Sequence, residues 1–171
     1  ALFAGKLIPL KRVEDLIEAA SLASTDLIIA GDGPRRLALE KLAQERHVHT
    51  DFRGFLNQSE MQQVYSEADV LVLPSERETW GMAVNEAMSR GRPAIVSDHT
   101  GCAPDLIIEG VTGHVFPAGS VARLAELLAA LKADRNRGVA MGAAARRHIL
   151  QFSAARAVEG VKAALNAVTG Q

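Results

Sequence analysis

Short apolar segments alternate along the chain with segments whose apolar residues recur at helical spacing. The first kind is typical of β-strands and the second of helices with one buried face. Six strands are predicted, at residues 1–7, 26–30, 48–52, 69–73, 93–97 and 113–116. Strands without polar alternation, such as 71–73 and 94–96, are typical of parallel sheets that helices cover on both faces. The pattern predicts an α/β fold with a doubly wound, mainly parallel, six-stranded sheet.

The pattern becomes wholly helical after residue 116. Helices are predicted at residues 121–132, 136–150 and 154–168. The last helix has a long apolar stripe, formed by Ala154, Ala157, Val158, Val161, Ala164, Leu165 and Val168. A helix with such a stripe buries it against another surface. We therefore expect the apolar stripe of this helix to pack against another part of the protein.

Composition and length indicate one globular domain that covers residues 1–171, since the chain is 48% hydrophobic. Cys102 is the single cysteine, and the five histidines include no pair at zinc-ligand spacing. These observations argue against a disulfide and a structural zinc site and favour a reducing compartment. The chain starts on an apolar run without a methionine, so we expect it to be one domain of a longer protein.

The charge balance argues against whole classes of partner. Lysine and arginine total 19 against 20 acidic residues, and no basic run exceeds two residues. Nucleic-acid and membrane-surface binders usually have a basic stripe. No apolar segment approaches the roughly 18–20 residues that span a bilayer. An anionic ligand would therefore need a local site.

Two lysines flank the first strand-to-helix loop, in segment 5–11. In an open parallel sheet, ligands bind beyond the carboxyl ends of the strands, so this loop is a candidate site. Gly5 permits close backbone approach, and Lys6 and Lys11 could clamp a phosphate beside a helix start. Taken alone, two solvated surface lysines are the commoner explanation.

Segment 31–34, Gly-Asp-Gly-Pro, invites comparison with the dinucleotide-binding fingerprint. The comparison fails, because Arg36 replaces the third glycine and Pro34 occupies the turn. The loop also follows the second predicted strand, whereas the fingerprint follows the first. Structural turn glycines explain this segment better.

The richest candidate is segment 74–88, which runs from the fourth strand through a loop into a helix. If the helix begins near Trp80 or Gly81, the amides of Gly81 and Met82 point at the ligand crevice. Glu78 then lies in the loop, and Glu86 lies about a turn and a half inside the helix. Amides suit a phosphate and carboxylates accept hydrogen bonds from sugar hydroxyls, so the arrangement suits a sugar nucleotide. The glutamate pair alone could arise by chance.

A nucleophile site is the weaker alternative. His99, Cys102 and Asp105 lie close in sequence, but a loop histidine and a packed cysteine are the usual explanation. The chain has neither the Gly-x-Ser-x-Gly motif of a hydrolase nor a P-loop motif.

Taken in order, these motifs resemble glycosyltransferase family 4, also called group 1, and cover nearly the whole chain as its C-terminal, donor-binding domain. The matching segments are 5–11, 31–34, 52–55 (aromatic-x-Gly-aromatic), 68–75 (Ala-Asp to Leu-Pro-Ser), 78–88 (Glu-x-Trp-Gly to Glu-Ala-Met) and 91–95 (Gly-x-Pro-x-Ile). The resemblance implies one half of a GT-B fold, in which two Rossmann-like domains face each other. It also implies a retaining enzyme that moves a sugar from a nucleotide sugar to a hydroxyl acceptor.

The resemblance also assigns roles to individual residues. Lys6 and Lys11 would neutralise the donor diphosphate in place of a metal ion, so no metal or other cofactor is expected. Glu78 would bind donor-sugar hydroxyls and, with the two lysines, form the catalytic set. The remaining donor contacts would come from Gly5 near the phosphates, Leu56 at the base, Gly81 and Met82 through their amides, and Glu86 at the ribose. The donor could be a UDP-, GDP- or ADP-sugar.

Four departures from the family pattern bear on the site. Lys6 stands where the family usually has arginine, which keeps the charge but loses the bidentate fork. Cys102 and Asp105 replace a glycine and a glutamate of the sugar pocket, and Ala154 replaces an aromatic residue. The resemblance implies an N-terminal acceptor domain outside this chain, so we expect this chain to bind donor but to transfer little sugar. Segment 153–168 is expected to pack toward that domain and to be partly unsupported here.

Family analogy predicts a cytoplasmic enzyme, either free or peripheral at the inner membrane face, that builds polysaccharide or glycolipid precursors. Two alternatives remain open. A GT-B sugar-nucleotide epimerase would use the same donor site. A non-enzymatic α/β binding module of the response-regulator kind ranks lower, because such modules have an acidic cluster after the first strand, where Gly5 and Lys6 stand.

Overall fold

A single six-stranded sheet forms the centre of the computed structural model, which describes residues 1–169. Its strands are β1 (Leu2–Ala4), β2 (Leu27–Ala30), β3 (Thr50–Gly54), β4 (Leu71–Leu73), β5 (Ala94–Ser97) and β6 (Gly113–Phe116). The order across the sheet is β3-β2-β1-β4-β5-β6, and every pairing between these strands is parallel. The predicted doubly wound α/β fold is confirmed.

Helices cover both faces of the sheet. They are α1 (Val13–Ala23), α2 (Arg36–Glu45), α3 (Gln58–Glu67), α4 (Met82–Ser89), α5 (Ala103–Leu106), α6 (Val121–Ala133), α7 (Arg135–Ile149) and α8 (Ala154–Thr169), with 3₁₀ turns at Pro9–Lys11 and Leu150–Phe152. All residues of β4 and β5 are buried, as their lack of polar alternation predicts. Helix α1 packs against α6, and α4 packs against α7.

The first and third strands have other bounds than predicted, and one short helix was not predicted. The first strand ends at Ala4, because the amide of Leu7 donates instead to the Asp32 carbonyl of the neighbouring loop at 2.9 Å. Leu7 is buried there, which explains why the apolar run continues past the strand. The third strand starts at Thr50, since the Val48 amide donates to the Ala43 carbonyl at the end of α2. The short helix α5 has no periodicity that would predict it.

The loops after β1 and β2 touch through their backbones. A Cβ placed on Gly31 would lie 1.8 Å from the Gly5 carbonyl oxygen, a separation that no side chain tolerates. The Gly5 amide donates to the Ala30 carbonyl at 3.0 Å, and the Arg35 amide donates to the Leu7 carbonyl at 3.1 Å. The interpretation of this segment as structural turn glycines is therefore confirmed.

The C-terminal helix α8 leaves apolar residues in contact with solvent. Val158, Val161, Leu165 and Val168 are exposed. That segment 153–168 packs toward a second domain stays a prediction.

The topology sets where a ligand binds. Successive strands run outward from β1 through β2 to β3 on one side, and from β4 through β5 to β6 on the other. Between β1 and β4, the direction in which successive strands are added to the sheet reverses. In such sheets, ligands bind in the crevice at this switch point, outside the carboxyl ends of the strands. The loops after β1 and β4 are segments 5–12 and 74–81, which contain most of the predicted site residues.

Candidate functional site

An ion pair joins the two loops at the switch point. The Lys11 ammonium, in the 3₁₀ turn after β1, contacts the Glu78 carboxylate in the loop after β4. Both side chains are only 18% exposed. The Glu76 amide also donates to the Leu10 carbonyl at 2.9 Å. Lys11 and Glu78, which were predicted to contact different parts of a ligand, therefore also contact each other. Lys6, in contrast, is exposed and belongs to no ion pair within residues 1–169.

The loop that carries Glu78 is held by the loop after β5. The Glu78 amide donates to the His99 carbonyl at 3.2 Å, and the Gly101 amide donates back to the Glu78 carbonyl at 2.9 Å. The Cys102 amide donates to the Trp80 carbonyl at 2.9 Å. These bonds fix the loop backbone on its sheet side, so the Glu78 carboxylate projects from a rigid support.

Helix α4 begins at the crevice with an open N-terminus. Its N-cap is Gly81, which confirms the predicted start near Trp80 or Gly81, and no side chain caps it. Gly81 has φ +101°, and a Cβ there would lie 3.2 Å from Thr100 Cγ2 and 3.3 Å from Leu73 Cδ1, so only glycine fits without strain. The first amides of a helix have no intrahelical partner. Those of α4 are therefore available to an anion.

A cavity of about 340 Å³ lies between α3 and α4. It is lined by Leu56, Gln58, Met61, Gln62, Tyr65, Glu86, Ser89 and Arg90. The structure thus brings together Leu56 and Glu86, which the sequence analysis assigned separately to the base and to the ribose. Five of the lining side chains are polar or charged and three are apolar or aromatic, so the cavity offers several hydrogen-bonding groups beside a smaller surface for packing.

Tyr65 is one of the cavity residues that the sequence analysis did not assign to the site, and it contacts a residue that the analysis did assign. Its hydroxyl donates to Glu86 Oε2 at 2.7 Å, while its side chain is only 2% exposed. In the sequence, Met61, Val64, Tyr65 and Ala68 recur at helical spacing, which indicates a buried face for Tyr65 but gives no sign that its hydroxyl reaches another helix. An aromatic residue with a polar tip at a core position was the available signal.

The alternative nucleophile site is not supported. Cys102 is fully buried, and burial raises the pKa of its thiol to about 11. His99 Nδ1 lies 2.9 Å from the Glu76 carbonyl oxygen, and Asp105 is exposed on α5. The thiol is packed beside Gly81 and not activated, so Cys102 belongs to the support of the α4 N-terminus.

We expect Cys102 to react with a thiol reagent at pH 8 at least about 100-fold more slowly in the folded chain than in denaturant, because burial suppresses both access and thiolate formation. The rates can be compared by mass spectrometry after timed alkylation. Similar alkylation rates in the folded and the denatured chain would show that the thiol is accessible and would support the nucleophile hypothesis.

Residues 1–169 contain no group of three or more histidine, cysteine, aspartate or glutamate side chains placed to hold a metal ion. None of the helices in this range combines the length and apolar character needed to cross a bilayer.

Comparison with known proteins gives a consistent family match. Residues 1–148 match the family model described as glycosyl transferases, group 1. Sulfoquinovosyl transferase SQD2 of Arabidopsis thaliana is 38% identical over 146 residues, which are 84% of this chain and 27% of that protein. A GDP-mannose-dependent phosphatidylinositol monomannoside mannosyltransferase of Mycobacterium tuberculosis is 33% identical over 159 residues, 85% of this chain and 41% of that protein. The chain therefore spans well under half the length of these relatives.

Solved structures share the fold. Anabaena Alr3699/HepE, in complex with UDP, superposes with a TM-score of 0.87 at 21% identity, over 97% of this chain and 48% of that one. The C-terminal domain of a group 1 glycosyl transferase, LpcC of Francisella tularensis, superposes with a TM-score of 0.80 at 21% identity. That match covers 88% of this chain and 83% of the solved domain.

Proposed function

The chain belongs to the glycosyl transferases of group 1, and from this membership we propose that it binds the nucleotide-sugar donor at the carboxyl edge of its sheet. Its fold is the Rossmann-like half of a GT-B enzyme. The mannosyltransferase relative is named as GDP-mannose-dependent, and Anabaena Alr3699/HepE is solved in complex with UDP. Both names support a nucleotide sugar as the ligand of this chain.

Helix α4 is the observation that carries the proposal. Its uncapped N-terminus follows Glu78 by a few residues, and Glu86 lies farther along the same helix, in the cavity that contains Leu56. The helical rise places Glu86 about 6 Å beyond Met82 along the axis. A nucleoside diphosphate can bridge this separation, with its phosphates at the helix amides, its ribose at Glu86 and its base against Leu56.

The same residues suggest how transfer would proceed. Breaking the bond between the anomeric carbon and the diphosphate oxygen leaves negative charge on the diphosphate. Lys11, Lys6 and the amides of Gly81 and Met82 would stabilise this charge as it develops, because fixed cations and dipoles need no reorganisation. Gly5 would let the diphosphate approach the β1 loop, and Glu78 would accept hydrogen bonds from the donor sugar. This arrangement would need no metal ion, and we propose a retaining reaction.

The acceptor would bind elsewhere in the parent protein. The chain corresponds to 27–41% of the lengths of the two relatives described above, so we propose that a preceding domain supplies the acceptor site and the rest of the catalytic set. We further propose a cytoplasmic parent enzyme. No feature of the site favours the epimerase or the non-enzymatic module, and the relatives described above are named as transferases.

Titration calorimetry with UDP, GDP and ADP in EDTA tests donor binding. We expect one nucleotide to bind, and Glu86→Ala to weaken its binding roughly tenfold or more, because hydrogen bonds to a charged group are worth about 1.5–3 kcal/mol. Glu126→Ala, which removes an exposed carboxylate from α6, is the matched control and should bind like the wild type. A wild-type chain that binds none of the three, or Glu86→Ala with unchanged affinity, would contradict the proposal.

A further inference from the structure

The Glu86 carboxylate depends on one group for its position. Within residues 1–169, the Tyr65 hydroxyl is the only hydrogen-bond donor to this carboxylate, and no cation lies within ion-pair distance of it. Glu86 itself is exposed on α4, so without a partner its side chain would sample several rotamers. The hydrogen bond therefore selects one conformation of a carboxylate that faces solvent.

Tyr65 is well suited to this task because its own position is fixed. The ring is packed in the core on α3, and Tyr65 also lines the cavity. Burial and the neighbouring Glu86 both raise the pKa of Tyr65, so the hydroxyl stays protonated and remains a donor near neutral pH. It bonds to Oε2, which leaves Oε1 of Glu86 able to accept from a ligand.

Arg90 is the competitor for the same carboxylate. It follows Glu86 by four residues, as the C-cap of α4, and lines the same cavity. This spacing favours a glutamate–arginine pair. The two form no ion pair in the described part of the chain. The Tyr65 hydrogen bond thus holds Glu86 away from its helical neighbour and available to the cavity.

We propose that Tyr65 is a positioning residue that aims Glu86 at the ribose hydroxyls and thereby sets the preference of this site for ribose. The inference rests on the proposed function, since it requires a nucleoside diphosphate in the cavity. In the proposed mode of binding, Tyr65 touches no ligand atom itself but controls the position of Glu86, which does contact the ligand. Loss of the hydroxyl would affect ligands with ribose hydroxyls and spare ligands without them.

Calorimetry with paired ligands tests this role. The best binder among UDP, GDP and ADP, and its 2′,3′-dideoxy counterpart, are titrated into the wild type, Tyr65→Phe, Glu86→Gln and the double variant. We expect the wild type to prefer the ribose form about tenfold or more. Tyr65→Phe should reduce the preference for the ribose form to about twofold or less, while its affinity for the dideoxy form stays unchanged. The double variant should lose no more of this preference than Glu86→Gln alone, because the two residues act as a coupled pair.

The outcomes separate the two proposals. If the wild type binds no nucleotide or shows no ribose preference, the proposed role of Glu86 fails and the role of Tyr65 fails with it. If Glu86→Gln loses the preference but Tyr65→Phe keeps it, the positioning role is overturned and the proposed function stands. Equal losses for both ligands in Tyr65→Phe would indicate mere structural damage and also overturn it. Ser66→Ala, which removes the neighbouring hydroxyl on α3, should keep the preference.

Discussion

Lys11→Met is expected to weaken binding of the nucleoside diphosphate about 100-fold, since two effects act in the same direction. The variant removes a cation that would face the diphosphate. It also leaves the Glu78 carboxylate, 18% exposed, without its partner, so that an uncompensated negative charge faces the negative ligand. Losing one member of a partly buried ion pair is costly for the same reason. Calorimetry at fixed ionic strength measures the change.

Two companion variants make the Lys11 result specific. Lys41→Met removes an exposed ammonium from α2 and should leave affinity within about twofold, because exposed charges are screened. In Lys11→Met/Glu78→Gln the unpaired carboxylate is gone, so a nucleoside diphosphate without a sugar should regain part of the lost affinity. Equal affinities of Lys11→Met and Lys41→Met would show that the switch-point pair is not the phosphate site.

Gly31→Ala is expected to destabilise the chain by about 3 kcal/mol or more. A Cβ at this position would lie 1.8 Å from the Gly5 carbonyl oxygen, and the residue has φ +140°. The atom in the way belongs to the backbone, so relief requires the β1 and β2 loops to separate. Urea unfolding followed by circular dichroism would report the loss, and the displaced β1 loop should also weaken nucleotide binding.

Gly138 provides the matched control for this glycine. It lies within α7, and a Cβ there would meet no atom within 4 Å. Gly138→Ala should therefore stabilise the chain by about 0.5–1 kcal/mol, since alanine has the higher helix propensity. Gly31→Ala and Gly138→Ala with the same free energy of unfolding would contradict the close approach of the two loops.

The sequence was sufficient to predict the fold because its local and global signals agree. Fully apolar runs at 71–73 and 94–96 predicted strands buried on both faces, and β4 and β5 are such strands. The ends of strands were harder to predict wherever an apolar residue is buried outside a strand. Leu7 lengthened the predicted first strand although its amide bonds to a loop, and hydrophobicity alone does not distinguish these two kinds of burial.

The site was predictable in its residue types but not in its contacts. Glu78 could be predicted as a carboxylate in the loop after a strand. Glu86 could be predicted as a carboxylate along the helix whose start Gly81 signals. The contact between Lys11 and Glu78 joins residues 67 positions apart, and the bond from Tyr65 to Glu86 joins two different helices. Such pairings depend on how loops and helices pack, which no local pattern in a single sequence records.

Amide chemical-shift mapping of the ¹⁵N-labelled chain, titrated in EDTA with the nucleoside diphosphate that it binds best, tests the central claim most directly. We expect the largest shifts at Gly81 and Met82, at the N-terminus of α4, with further shifts around Leu56 and Glu86 in the cavity between α3 and α4. Shifts centred on segment 31–34, or scattered without saturation, would contradict a donor site built on α4.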